Sequence, residues 1–240
     1  MDLHIHSCLS PCAEDTMTPP AVVARALRAG LGWIGIADHN AADNLRAFET
    51  AAAAAGIAFS PGMEITTAEE IHLLAFFDEL DAAAELGILV REHLGGENDV
   101  VAFGRQAIVD TGGRETGVRR VLLIGATDLG VAEVAAAARR LGGVVIAAHV
   151  DRPSYSIVSQ LGFVPADLEL DGAELSIRAS GAAEETLWSE RLRMPLVWFS
   201  DAHRLEDVGS AATRVTVAAP TIRELRGALR GRDGRSVARA

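Results

Sequence analysis

The sequence contains no lysine; all 22 basic residues are arginine. That absence excludes a Walker-type phosphate loop, a Schiff-base lysine and a Ser-Lys dyad together. Cysteine is almost missing as well. Cys8 and Cys12 are too few for a disulfide framework, and packing is the expected role of both. No apolar run approaches the roughly 18 residues that a bilayer-spanning helix needs. Positive charge is scarce: 33 acidic residues against 22 basic ones leave a net charge of −11. Gripping a nucleic-acid backbone or an anionic membrane needs a positive field, so neither a membrane nor a long nucleic acid is expected as a partner. The chain opens Met-Asp-Leu-His, with no basic n-region and no apolar h-region, which predicts a cytoplasmic protein.

What is present is ordinary for a globular chain, with 49% hydrophobic and 23% charged residues. Short apolar runs predict strands at 3–6, 33–37, 57–65, 71–77, 144–149, 173–177 and 195–200. Most are rich in β-branched or aromatic residues, as strands covered on both faces should be. Helical patterns lie between them at 20–29, 43–55, 81–93, 131–141, 181–193 and 221–229. Thr18 before Pro19 and Pro20 reads as a helix start, and Gly30 and Gly56 fall where helices should stop. This alternation predicts an α/β architecture with a parallel sheet. Seven strands fit a small (β/α) barrel better than an open sheet. One stand-alone domain is expected over residues 1–229. Its regular pattern is interrupted by a Gly-rich, charged insertion at about 95–129, of a length that is usually functional or mobile in a compact domain. Residues 230–240 lack apolar anchors and are expected to fray.

The histidines carry the chemistry. Of seven, only His93 lies on a predicted helix, and it reads as a hydrogen-bonded surface residue. His4, His6, His39, His72, His149 and His203 lie in predicted strands or at their ends, where α/β folds gather functional groups. His4 and His6 form an H-x-H pair, and side chains two apart on a strand share a face, so both can reach one ion. Asp201 and His203 repeat that spacing on the last strand, and Glu64 ends another. Burying this many imidazoles and carboxylates without partners is costly. A mixed nitrogen and oxygen set suits divalent cations such as Zn²⁺, Mn²⁺ and Fe²⁺.

The motifs Asp2-Leu-His-Ile-His-Ser7, Ala37-Asp-His-Asn40, Gly62-Met-Glu64, Ile71-His-Leu-Leu74, Ala148-His149 and Ser200-Asp-Ala-His203 occur in that order over residues 2 to 203. They resemble the successive motifs of the PHP (polymerase and histidinol phosphatase) family. The resemblance implies a distorted seven-stranded (β/α)7 barrel. It also implies a cluster of two or three divalent ions, Mn, Fe or Zn, and hydrolysis of a phosphate ester of a small metabolite or nucleotide through a metal-activated hydroxide. Carried over, His4, His6, Glu64 and Asp201 hold one ion. Glu64 bridges to a second, completed by His72 and His149. His39 and His203 hold a third. Asp38 is expected behind the ligands, orienting a histidine. Many family members place Ser-Asp-Gly after the first motif, where the Asp completes the third site. Here the run is Ser10-Pro-Cys-Ala-Glu-Asp-Thr-Met-Thr-Pro19, in which Asp15 is favoured over Glu14 and Cys12 as the replacement. Arg152, then Arg178, then Arg204 are candidates for gripping the phosphate, since a guanidinium binds it through two hydrogen bonds. Related readings are a histidinol-phosphate phosphatase, a nuclease-like enzyme on short oligonucleotides, and a non-catalytic metal-binding interaction module. The missing lysine counts against an amide-hydrolysing relative whose metals a modified lysine would bridge.

Overall fold

The computed structural model describes residues 1–179 and 181–240. In chain order the elements are α1 (Pro19–Arg28), β1 (Trp33–Ile36), α2 (Leu45–Ala54), β2 (Ala58–Thr66), β3 (His72–Phe76), α3 (Leu80–Glu92), α4 (Val100–Phe103), β4 (Ala107–Val109), β5 (Glu115–Val118), α5 (Val131–Arg140), β6 (Val144–Ala147), α6 (Ile157–Leu161), β7 (Gly172–Leu175), α7 (Ala182–Leu192), β8 (Leu196–Trp198), β9 (Thr213–Thr216), α8 (Ile222–Leu229) and β10 (Ser236–Arg239). Thr18 occupies the cap position of α1, with Pro19 at the first helical position. Gly30 and Gly56, at φ +72° and +70°, take the left-handed conformation that ends α1 and α2.

The main sheet has six strands in the order β1-β2-β3-β6-β7-β8. The expected distorted seven-stranded (β/α)7 barrel is met in part: the described residues form a mixed α/β sheet of six strands rather than seven, and its pairing is not parallel throughout. β3 runs antiparallel to both neighbours, β2 and β6, while the remaining pairs are parallel. The predicted strand at 3–6 is not a regular strand; it is held by single bridges, Asp2 to Ile34 and Ile5 to Ala202. The sheet curls so that both of its ends reach this segment. On one side Asp2 N–H donates to Trp33 O and Ala37 N–H to Ile5 O; on the other His6 N–H donates to Ala202 O. The buried Asp2 carboxylate fastens the same place, accepting from Ser200 N–H and Gly209 N–H at 3.0 Å each.

Side-chain alternation divides the core into two layers. Leu73 and Ala75 of β3, with Val145 and Ala147 of β6, face the layer that includes residues of α1, α2, α3 and α5. Leu74 and Phe76, with Val144 and Ile146, face the concave side, which Ile222, Leu225 and Leu229 of α8 fill. Glu64 and His72 share the parity of this concave side, and the register pairs Glu64 with Leu74 and Thr66 with His72. Because β3 is antiparallel, its first residue rather than its last stands at the rim, beside the end of β2.

Two loop expectations change. The insertion carries α4 and an antiparallel β4–β5 hairpin, and Ala107 N–H donates to Cys8 O beneath the rim. The segment 230–240, expected to fray, contains β10, which pairs with β9 along its length. It is placed by backbone pairing with β9 and by Val237, which packs against the concave layer of the core. Nearby, the buried Asp171 carboxylate gathers Arg139 of α5 at 2.9 Å, Arg226 of α8 at 3.4 Å and Arg230 at 3.3 Å. That cluster ties both helices to the sheet. Among the described residues no helix is long and apolar enough to cross a membrane.

Candidate metal centre

His4 and His6 leave the bridged segment side by side, with their rings 5.1 Å apart. Each is oriented from behind. His4 Nδ1 donates to Glu174 at 3.0 and 3.1 Å. Glu174 also accepts the His149 backbone N–H at 2.9 Å, so one carboxylate on β7 positions two histidines. Behind His6 stands Ser10. Its hydroxyl donates to Asp38 at 2.7 Å, which leaves the oxygen to accept from His6 Nδ1 at 2.9 Å. Asp38 therefore acts on the histidine through Ser10 rather than directly, and Ser7 N–H and Oγ hold its carboxylate at 2.7 and 2.6 Å. With both Nδ1 atoms occupied as donors, the two Nε2 lone pairs point into one space.

In that space His4 Nε2 lies 3.2 Å from His6 Nε2, 3.4 Å from Glu64 Oε2 and 3.2 Å from Asp201 Oδ1. His6 Nε2 lies 3.2 Å from Glu64 Oε2 and 3.1 Å from Asp201 Oδ1. Donors bonded at about 2.0–2.2 Å to one ion stand roughly 3.0–3.6 Å from each other, from octahedral to tetrahedral geometry. The four atoms thus outline the shell of a single cation.

Glu64 turns its other oxygen elsewhere. Oε1 lies 2.7 Å from His72 Nδ1 and 3.1 Å from His149 Nε2. His39 Nδ1 approaches Oε2 at 3.1 Å, yet both atoms are buried without a hydrogen-bond partner. His39, Glu64 and His72 make a second possible ligand group, and His6, His39 and His203 a third. His203 stacks on His6 with centroids 4.1 Å apart. His6 and His39 each belong to two groups, so this is one continuous cluster rather than three independent sites. His149 and Asp201 sit at φ +29° and +50°. Such strain in non-glycine residues is characteristic of functional positions.

The electrostatics ask for positive charge. Burial opposes charging His4, yet the carboxylates of Glu174, Asp201 and Glu64 outweigh it and hold the imidazole well above its usual range. His6 is likewise raised to about 9: burial opposes, while its hydrogen bonds to the accepting carboxylates of Asp201 and Glu64 prevail. Burial would raise Glu64 and Asp201, but the surrounding histidines keep both well below the ordinary carboxylate range. Toward the rim burial wins. It holds His39 well below its usual value and lowers His203 to about 4, with the charge on His6 contributing. Ionised oxygens and neutral rim nitrogens are the states that bind metals, and the residues present fit divalent cations.

The remaining candidates are distributed as follows. Arg152 reaches the cluster and forms an ion pair with Asp201 Oδ2 at 2.5 Å. Arg204 is exposed, 3.6 Å from Glu14, and Arg178 is exposed on the turn after β7. Asp15 is not brought to the cluster. It lines a separate cleft with Arg105 and Glu115, because the 10–19 run folds back under β4. Cys12 is exposed, so it does not fill the packing role expected of it, and it belongs to none of the possible ligand groups. Cys8 is buried against Ala107 and Val109. His93 pairs with Asp128 at 2.5 Å away from the cluster. Sequence reasoning missed Glu174 and Ser10. The signal available for Glu174 was an acid alone in the apolar run Gly172-Ala-Glu-Leu175.

Comparison with known proteins agrees with this geometry. The chain matches the PHP domain family over residues 2–121 and the PHP-associated family over residues 186–233. No curated protein matches it. Among solved structures it is similar to the lesion-specific endonuclease Q of Pyrococcus furiosus, with a TM-score of 0.69 and 21% identity over 98% of this chain. The chain spans 56% of that endonuclease's length. It is also similar to a protein of Bifidobacterium adolescentis described as a metal-dependent phosphoesterase. There the TM-score is 0.59 and the identity 22%, over 84% of this chain and 87% of the other. An amidohydrolase from Chromobacterium violaceum aligns with a TM-score of 0.60 and 18% identity, over 87% and 89% of the two chains. At these identities the structural likeness speaks to the fold. The family match covers half the sequence and contains the first four cluster histidines and Glu64, and on that ground the chain belongs to the PHP family.

Proposed function

We propose that this chain hydrolyses phosphate esters of small molecules, a small metabolite or a nucleotide, at a centre of two or three divalent ions. His4, His6, Glu64 and Asp201 would hold one ion. Glu64, through its second oxygen, would share in another with His72 and His149, and His39 and His203 would serve a third. The observation that carries this reading is the set of donor distances around His4 and His6, which match the spacing of ligands on one ion, while His39 Nδ1 and Glu64 Oε2 beside them are buried without a hydrogen-bond partner. When bound, such metals neutralise the phosphate and lower the pKa of water towards about 7.

The protein supplies the geometry. Glu174 and the Ser10–Asp38 pair fix the imidazole tautomers. Arg152 is held beside the centre by Asp201, and its Nε is buried without a partner. Its guanidinium is therefore placed to meet a phosphate oxygen that approaches Asp201. The net charge of −11 favours a small ester over a long nucleic acid, while the likeness to an endonuclease keeps a short oligonucleotide as the second reading. The test is turnover of p-nitrophenyl phosphate, a panel of phosphorylated metabolites and a short oligonucleotide with added Mn²⁺, Fe²⁺ or Zn²⁺. Activity should vanish with chelator and in Glu64→Gln. Inertness across the panel by metal-loaded protein would leave a metal-binding interaction module instead.

A further inference from the structure

The loop after β6 does more than supply Arg152. Arg152 N–H donates to His149 O at 2.9 Å, and Ser156 Oγ donates to Arg152 O at 2.9 Å, so the loop is pinned at both ends. Between these pins it presents Tyr155, the only tyrosine in the chain. Tyr155 takes φ +57°, a left-handed conformation that costs a bulky residue free energy of order 1–3 kcal/mol. Its carbonyl accepts the His72 N–H at 2.9 Å. Its ring stacks on the His72 imidazole with centroids 4.8 Å apart and planes at 25°. Despite that stacking Tyr155 is 45% exposed, so one face covers His72 while the other is open. A single loop thus lays a guanidinium over Asp201 and an aromatic face over His72, three residues apart, on the two sides of Glu64. Packing alone does not require an aromatic ring to be held in a strained backbone with a face left bare.

We propose that the open face of Tyr155 is the subsite for the organic part of the substrate, and that it selects phosphate esters whose alcohol carries a flat aromatic or heteroaromatic ring. This rests on the phosphoesterase reading and narrows it. The phosphate would lie against the cluster and Arg152, and the ring would stack on Tyr155 in the offset arrangement that aromatic pairs prefer. Esters of saturated alcohols of the same size would lack that contact.

The test uses benzyl phosphate and cyclohexylmethyl phosphate, whose alcohols have similar reach and acidity but differ in flatness. The corresponding phosphonates report binding by calorimetry without turnover, and metal content is measured on every preparation. The expected result is a preference of about threefold to tenfold for the benzyl compounds, in kcat/KM and in phosphonate binding, the range that an aromatic pair contributes. In Tyr155→Leu the ratio should fall to near one with metal content unchanged, and in Tyr155→Phe it should persist. Equal treatment of the two compounds by the native chain, or a preference that survives Tyr155→Leu, would overturn the proposal. So would loss of bound metal in Tyr155→Leu with the preference intact, which would assign the ring to holding His72. If neither phosphate is turned over and neither phosphonate binds to metal-loaded protein, the phosphoesterase reading itself fails, a result distinct from loss of selectivity.

Discussion

Replacing Glu174 by glutamine tests whether the centre is held from behind. The carboxylate accepts from His4 Nδ1 at 3.0 and 3.1 Å and from His149 N–H at 2.9 Å, and it is fully buried. Glutamine has nearly the same shape but one accepting oxygen instead of two. Oε2 accepts from both donors, so the amide keeps both only with its oxygen there; its NH₂ then replaces Oε1 against His4 Nδ1–H, leaving a buried N–H unpaired at about 1–3 kcal/mol. The same change frees the His4 ring to turn or to switch tautomer. Loss of such an outer partner usually costs 10- to 100-fold in metal affinity. The measurements are Mn²⁺ or Zn²⁺ titration by calorimetry and thermal unfolding with and without chelator. Glu174→Gln should lose both affinity and melting temperature, and the affinity loss should appear although Glu174 itself touches no ion. Native affinity together with native stability in Glu174→Gln would refute the idea that orientation of His4 matters.

Other outcomes follow from the same geometry. In metal-free protein the stabilisation from His6, raised from 6.5 to about 9, is complete below pH 6.5 and is lost as pH rises through 9. Chelated protein should therefore melt at lower temperature at pH 9 than at pH 7, whereas a flat profile would contradict the assignment. Metal binding near pH 7 should release protons from His4 and His6, so the heat of binding should vary with the ionisation enthalpy of the buffer. Arg152→Ala should raise KM for an active phosphate ester several-fold more than it lowers kcat; an unchanged KM would remove Arg152 from substrate binding. Asp171→Asn should cost about 2–4 kcal/mol in denaturant unfolding, somewhat less than breaking a fully buried ion pair because its arginines are partly solvated. Metal content should be unaffected, since this cluster lies apart from the centre.

The cluster was legible because its members are rare types at rare places. Histidines at strand ends are few, and two-residue spacings such as His4–His6 state which side chains share a face. Glu64 was legible for the same reason. Glu174 was not, because a single acid in a buried strand carries no sign of which neighbour it serves until β7 is placed beside His4 and His149. Strand existence could be read from apolar runs, but strand direction could not. The run around His72 looks the same either way, and only the pairing of β3 with β2 and β6 shows that it runs in reverse. Residues 3–6 have strand composition, yet they serve as a seam with single bridges on each side. Asp15 was favoured as an acid in the run that stands where the family pattern has Ser-Asp-Gly, but the route of the 10–19 turn takes it away. Residues 230–240 gave little hydrophobic signal, since backbone pairing with β9 and the single side chain of Val237 place β10.

The seam formed by residues 2–6 governs when the pocket can exist. His6 and Asp201 meet across 195 residues of sequence, and contacts of such separation are entropically expensive and tend to form late in folding. A nascent chain that has not yet emerged past Asp201 and His203 lacks two of the eight residues proposed as ligands, however well its first half has collapsed. Capture of an ion would then act as a clasp, closing the beginning of the chain onto its distant end and making release of the ion and opening of the ring a single event.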